Sequence, residues 1–130
     1  MKIALHFIAV LVSYAMLDLA FINLFAKDFI RRQVGDKLAE KPDLYAAGLF
    51  YFIFVFGLLY FCIWPASSLS KAVMNGAFFG LVTYATYELV NKSLLAGWPL
   101  ALVAVDMAWG VFVGAAVSGI GFLAGHYLNR

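Results

Sequence analysis

The residues best suited to chemistry are three acids, Asp18, Glu88 and Asp106, each alone in a long apolar stretch. An ionisable side chain inside a membrane span costs about 2.5–3.5 kcal/mol on insertion scales. It therefore faces protein or water, and marks a proton, ion or ligand path by default. Chain order puts the three at similar depth. Asp18 lies before the end of the first stretch, Glu88 near the end of the third and Asp106 near the start of the fourth, so all occupy the half nearest the first and third loops. Carboxylates this close in a low dielectric cannot all be ionised. One that keeps its proton can donate a hydrogen bond, exchange the proton or yield to a cation. Residues four apart share a helix face. Tyr14 joins Asp18 on that basis, and Tyr84 and Asn91 share a face with Glu88, flanked by Thr83 and Tyr87. The pattern predicts a polar chamber of Asp18, Glu88 and Asp106, with Tyr14, Tyr84, Tyr87, Asn91 and Trp109 as neutral walls and Tyr51 at the same depth. The plainer alternative pairs the acids with Lys27, Lys92 or tyrosine hydroxyls, which would only lock a bundle, and leaves Glu88 solvated near the interface.

Positioning these residues requires helices that cross a bilayer. Of the 130 residues, 65% are hydrophobic and 12% charged, against about 45–50% and 25% in soluble domains. That balance excludes an ordinary soluble enzyme and a disordered tail, and a net charge of +2 offers no basic face for nucleic acid. The single cysteine, Cys62, excludes an intrachain disulfide and a multi-cysteine zinc site. A span needs about 20 apolar residues. Residues 3–26, 44–64, 72–90 and 99–127 qualify, predicting one all-α domain, a bundle of four transmembrane helices. Lys2, an apolar run and Ser13-Tyr14-Ala15 loosely imitate a signal peptide, but the stretch is read as the first span. Pro65 suits the end of the second span and Pro99 the first turn of the fourth. Trp64, Trp98, Tyr45 and Tyr127 sit at span ends, where such rings prefer the headgroup level.

Lys27, Arg31, Arg32, Lys37, Lys41 and Lys92 outnumber Lys2, Lys71 and Arg130. By the positive-inside rule, loops one and three face the cytoplasm and both termini lie outside, in the periplasm. Loop 27–43 reads equally as a solvated connector or as an amphipathic helix with Phe29, Ile30, Val34 and Leu38 toward lipid. Gly76 and Gly80 line one face of the third span, and Gly110, Gly114, Ser118, Gly121 and Gly125 continue the Asp106 face of the fourth. Such small-residue stripes let helix backbones approach closely. The short third loop makes these two spans antiparallel, with Glu88 facing Asp106. Whether the glycines meet a helix of this chain or of a second copy stays open, and a homodimer is one expectation. At the other end His6, Cys62, Asn75 and His126 could gather near the interface. Their spacing is too loose to specify a metal or haem site, and the plain reading is interfacial side chains with polar tips in water. No nucleotide-binding loop, nucleophile elbow or H-E-x-x-H occurs.

The run Gly80-Leu-Val-Thr-Tyr84-Ala-Thr-Tyr87-Glu88-Leu-Val-Asn91, then Trp98-Pro99, then Asp106-Met-Ala-Trp109-Gly110, resembles a bacterial membrane-protein family known as domain of unknown function 2177. The family pattern reads T-Y-D-L-T-N, W-P and D-x-x-W-G. Here Glu88 replaces Asp and keeps the carboxylate on a longer arm, and Val90 lacks the hydroxyl. Phe50-Tyr51, Gly57 and Pro65-Ala66 also fit. The resemblance covers essentially the whole chain and implies four spans in a bacterial inner membrane, with no established activity. The residues themselves favour binding or transport of a hydrophobic or cationic small molecule or a lipid, with proton exchange at Glu88 or Asp106. Two alternatives are a membrane-embedded enzyme of lipid or isoprenoid modification and a structural or assembly subunit. No cofactor is expected. Glu88, Asp106 and Asn91 are hard ligands that would suit a divalent cation such as magnesium, but nothing in the spacing demands one.

Overall fold

The computed structural model describes residues 2–35, 41 and 43–129. Lys37, Leu38 and Arg130 of the sequence reading lie outside the described residues. Among these residues the chain is helical throughout and runs in four rods. The first joins α1 (Lys2–Phe21), a π-helical turn (Ile22–Ala26) and α2 (Lys27–Val34) end to end. The second is α3 (Leu44–Gly57) followed by a π-helical turn (Leu58–Ile63). The third and fourth are α4 (Leu69–Leu94) and α5 (Leu100–Leu128).

Local chemistry explains the boundaries. Asp43 accepts a hydrogen bond from Ala46 N at 3.1 Å and caps α3. Ser68 does the same for α4, accepting from Lys71 N at 3.2 Å. Pro99 stands one position outside α5, at its N-cap, with its carbonyl accepting from Val103 N. The turn between α4 and α5 depends on Gly97 at φ 74°, a conformation a Cβ would oppose. α4 extends beyond 72–90 at both ends. In loop one, residues 27–34 are helical, and α2 leaves Lys27, Asp28, Arg31 and Arg32 exposed and half-buries Phe29, Ile30 and Val34.

Three rods, 33, 20 and 29 residues long, are long and apolar enough to cross a membrane. α4 has 26 residues, about 39 Å at 1.5 Å each, but polar groups lower its hydropathy. Its outer positions Met74, Phe78 and Val82 are exposed and apolar, and it packs along α5 at the same depth. The buried core gathers Val10 and Tyr14 of α1, Phe54, Val55, Leu58 and Leu59 of the second rod, and Val113 and Val117 of α5.

The glycine stripes meet within the chain. A Cβ on Gly76 would fall 2.1 Å from Gly114 O, and one on Gly80 would fall 1.9 Å from Gly110 O. Farther along α5 the partners change: a Cβ on Gly121 would strike Ile63 and Val10, and one on Gly125 would strike the His6 ring. All six glycines are buried inside the chain, so none is left over to form a dimer contact.

This close approach predicts a sharp contrast. Gly80→Ala must push α4 away from α5 and is expected to cost about 1–3 kcal/mol. Gly48→Ala meets open space and is expected to be neutral or slightly stabilising. Unfolding midpoints in mild detergent measure both; equal midpoints would contradict the packing.

Candidate functional site

α1 buries a single face, His6, Val10, Tyr14 and Asp18, stepped by one turn each. At its inner end, Asp18 receives two neutral donors. Tyr51 Oη of α3 donates to Oδ2, and Trp109 Nε1 of α5 donates to Oδ1 at 3.3 Å. Trp109 is held flat against Phe21, with ring centroids 4.1 Å apart and planes 5° from parallel. The π-helical turn begins immediately after Phe21. One turn toward the core, Tyr14 Oη and Tyr84 Oη lie 2.7 Å apart, bonding α1 to α4. Tyr84 occupies the space that a side chain on Gly110 would need.

The second node is a pair of carboxyls. Asp106 has Glu88 as its nearest charged neighbour, with Asp18 next. Glu88 is 1% exposed, so it is sealed and not solvated at the interface. Its cover is Trp98 of the turn before α5, whose Nε1 donates to Glu88 Oε1 at 2.9 Å. Lys92, the nearest cation in sequence, donates instead to Trp98 O at 2.9 Å. Asn91 is half-buried on α4 beside Tyr87. Thus Asp18, Glu88, Asp106, Tyr14, Tyr84 and Trp109 form one polar layer through the bundle, while Tyr87 and Asn91 stand at its edge. Lys27 and Lys92 do not pair with the acids among the described residues.

Asp106 also opens outward. Over its first half α3 packs on α1; it reaches α4 through Phe54, whose ring lies against Phe79 and Tyr84, and its π-helical turn packs closely on both α4 and α5. A wedge remains between α3 and the α4–α5 pair. It is a groove of about 430 Å³ lined by Phe50, Thr83, Tyr84, Thr86, Tyr87 and Asp106. The threonine hydroxyls are turned to their own helix: Thr83 Oγ1 donates to Phe79 O and Gly80 O at 3.0 and 3.1 Å, and Thr86 Oγ1 donates to Val82 O at 2.6 Å.

At the far end, His6 Nε2 donates to Gly121 O at 2.7 Å, and Trp64 Nε1 donates to His6 Nδ1 at 3.2 Å. An indole N–H can only donate, so both ring nitrogens are committed and no lone pair faces a metal. His126 is exposed, and Asn75 Nδ2 donates to Cys62 O at 3.3 Å. Among the described residues no three His, Cys, Asp or Glu side chains converge as a metal site. Sequence reasoning placed Tyr51 at the right depth without a role, and put Trp98 at the headgroups without seeing its indole turn to Glu88. Phe50 and Thr86 entered only through the family resemblance, with nothing to assign them to a groove.

Tyr51→Phe removes the donor to one oxygen of Asp18. It is expected to cost about 1–3 kcal/mol, read as a lowered unfolding midpoint, and Tyr60→Phe on the exposed side of the same rod is expected to be neutral. Equal midpoints for the two variants would show that Asp18 does not depend on this bond.

No curated protein and no solved structure matches the chain. The model of a family described as predicted membrane proteins, DUF2177, matches residues 3–123. That match takes in every residue of the polar layer and its groove, and the chain belongs to the DUF2177 family of membrane proteins.

Proposed function

We propose that the protein binds a hydrophobic or cationic small molecule or a lipid within the membrane, and moves it with proton exchange at the Asp106–Glu88 pair. The observation that carries this reading is the double position of Asp106. It lines a groove between α3 and α4, and it stands beside Glu88, a carboxyl sealed from that groove. Two like charges side by side in a low dielectric repel, so one of the pair is expected to keep a proton. Anything that engages Asp106 from the groove therefore acts on that proton. The ligand enters from the acyl-chain region, its polar end meets Asp106, and the displaced proton returns to solvent from Asp106, the carboxyl of the two that is not sealed. No resident cofactor is needed for this cycle.

In the same reading the exposed Lys27, Arg31 and Arg32 of α2 lie on the cytoplasmic face of a bacterial inner membrane. Both termini then face the periplasm.

Native mass spectrometry of protein released gently from its own membranes tests the site. Wild-type protein is expected to carry a discrete extra mass. Asp106→Asn and the groove-filling Thr83→Trp are each expected to lower its occupancy by about tenfold, a change of about 1.4 kcal/mol in binding. Full retention of the mass in both variants, or none in folded wild-type protein, would remove the groove as the site.

A further inference from the structure

We infer that the ligand of the groove is a lipophilic organic cation, a quaternary or protonated amine with an apolar tail, taken up in one-for-one exchange for the proton held between Asp106 and Glu88. This rests on the groove being the ligand site, as proposed above.

The lining selects by what it offers and what it withholds. It offers one carboxyl and three aromatic rings, Phe50, Tyr84 and Tyr87. A carboxylate beside ring faces is the combination that attracts an alkylammonium, through charge and through the ring quadrupole. It withholds what an anionic head needs. No described Lys or Arg lines the groove, and Lys92 is engaged with Trp98 O. The hydroxyl protons of Thr83 and Thr86 are directed into their own helix. A phosphate or carboxylate head would meet Asp106 with no cation and only the Tyr87 phenol to compensate, inside a low dielectric where like charges repel strongly. A neutral lipid would fill the space but leave the Asp106 position unexploited. A volume of about 430 Å³ suits a small head and the first part of a tail, the rest lying in lipid.

Charge balance sets the stoichiometry. Before exchange the pair holds one proton and one negative charge. When a monovalent cation enters and the proton leaves, the pair carries two negative charges and the ligand one positive. The net charge of the site is the same in both states, so the exchange escapes the cost of adding a charge to a buried site. The titratable groups facing Asp106 are Glu88, Tyr84 and Tyr87 on α4 and Asp18 on α1, with Tyr51 of α3 bonded to Asp18. None is a cation, so no internal positive charge substitutes for the ligand.

The test uses the full chain in phosphatidylcholine nanodiscs and three probes of equal tail length: octyltrimethylammonium, octanol and octyl sulfate. Calorimetry in weak buffer reads affinity, and a pH indicator reads protons released. Wild type is expected to bind the ammonium at least about tenfold more tightly than either other probe, releasing one proton per cation bound. Lowering the pH should weaken binding of the cation and not of octanol. Asp106→Asn should erase the preference, and Thr83→Trp should abolish binding of all three. If the three probes bind wild type equally and Thr83→Trp still removes them, the groove stands and the cation assignment is overturned. If none binds wild type, the groove reading fails with it. Selective cation binding without proton release overturns the exchange. Should Asp106→Asn not fold, the three-probe comparison on wild-type protein decides alone.

Discussion

The contact of the α4 and α5 backbones is the constraint from which the rest follows. Glycines at 76, 80 and 114 let carbonyl oxygens of one helix lie where the other would otherwise carry Cβ atoms, and Gly110 makes room for the Tyr84 ring. In lipid, where tails are as apolar as leucine, such close van der Waals approach is what holds helices together. It also sets the distance between their polar residues. Glu88 and Asp106 are neighbours because the glycine stripes that lead to them let the two helices approach closely. Widening the interface by one methyl group would move the carboxyls apart.

A second consequence concerns α3. Since α4 and α5 turn their glycine faces to each other, the second rod packs on α1 over its first half. It reaches α4 at Phe54, against Phe79 and Tyr84, and joins both helices closely through its π-helical turn. Gly57, immediately before that turn, gives way to the Phe79 ring, since a Cβ there would lie 2.6 Å from it. A π turn inserts a residue into the helical repeat and re-aims the side chains beyond it. Leu58, Leu59, Cys62 and Ile63 are thereby buried together, while residues 44–50 stay exposed. The groove is the space left by this hinge-like change, at the end of the bundle where the acids lie.

Much of this was legible in the residues because two periodicities reinforced each other. Apolar length marked the rods, and the four-residue spacing from Gly76 to Glu88 and from Asp106 to Gly125 marked the faces that meet. Small residues have few packing solutions, so their pattern is informative. What could not be read was anything depending on a break in the helical repeat. The π turns after Phe21 and Gly57 carry no composition signal, and the lean of α3 comes from competition among all four rods. Trp98 was hidden for a different reason. An indole at a span end satisfies the headgroup preference and can also turn its N–H inward. Only the path of the turn through Gly97 decides between the two.

The two nodes of the polar layer are satisfied in different ways. Asp18 has a donor on each oxygen, from Tyr51 and Trp109, both neutral and both held by packing. Such a carboxylate is structurally complete, and little remains for a ligand to gain there. Asp106 is the opposite case. It stands beside a second carboxyl and, among the described residues, is the acid that lines the groove. A fully satisfied acid beside an acid with exchangeable bonding separates two tasks within one layer. The first fixes the helices that shape the groove, and the second is left free to respond to what enters it.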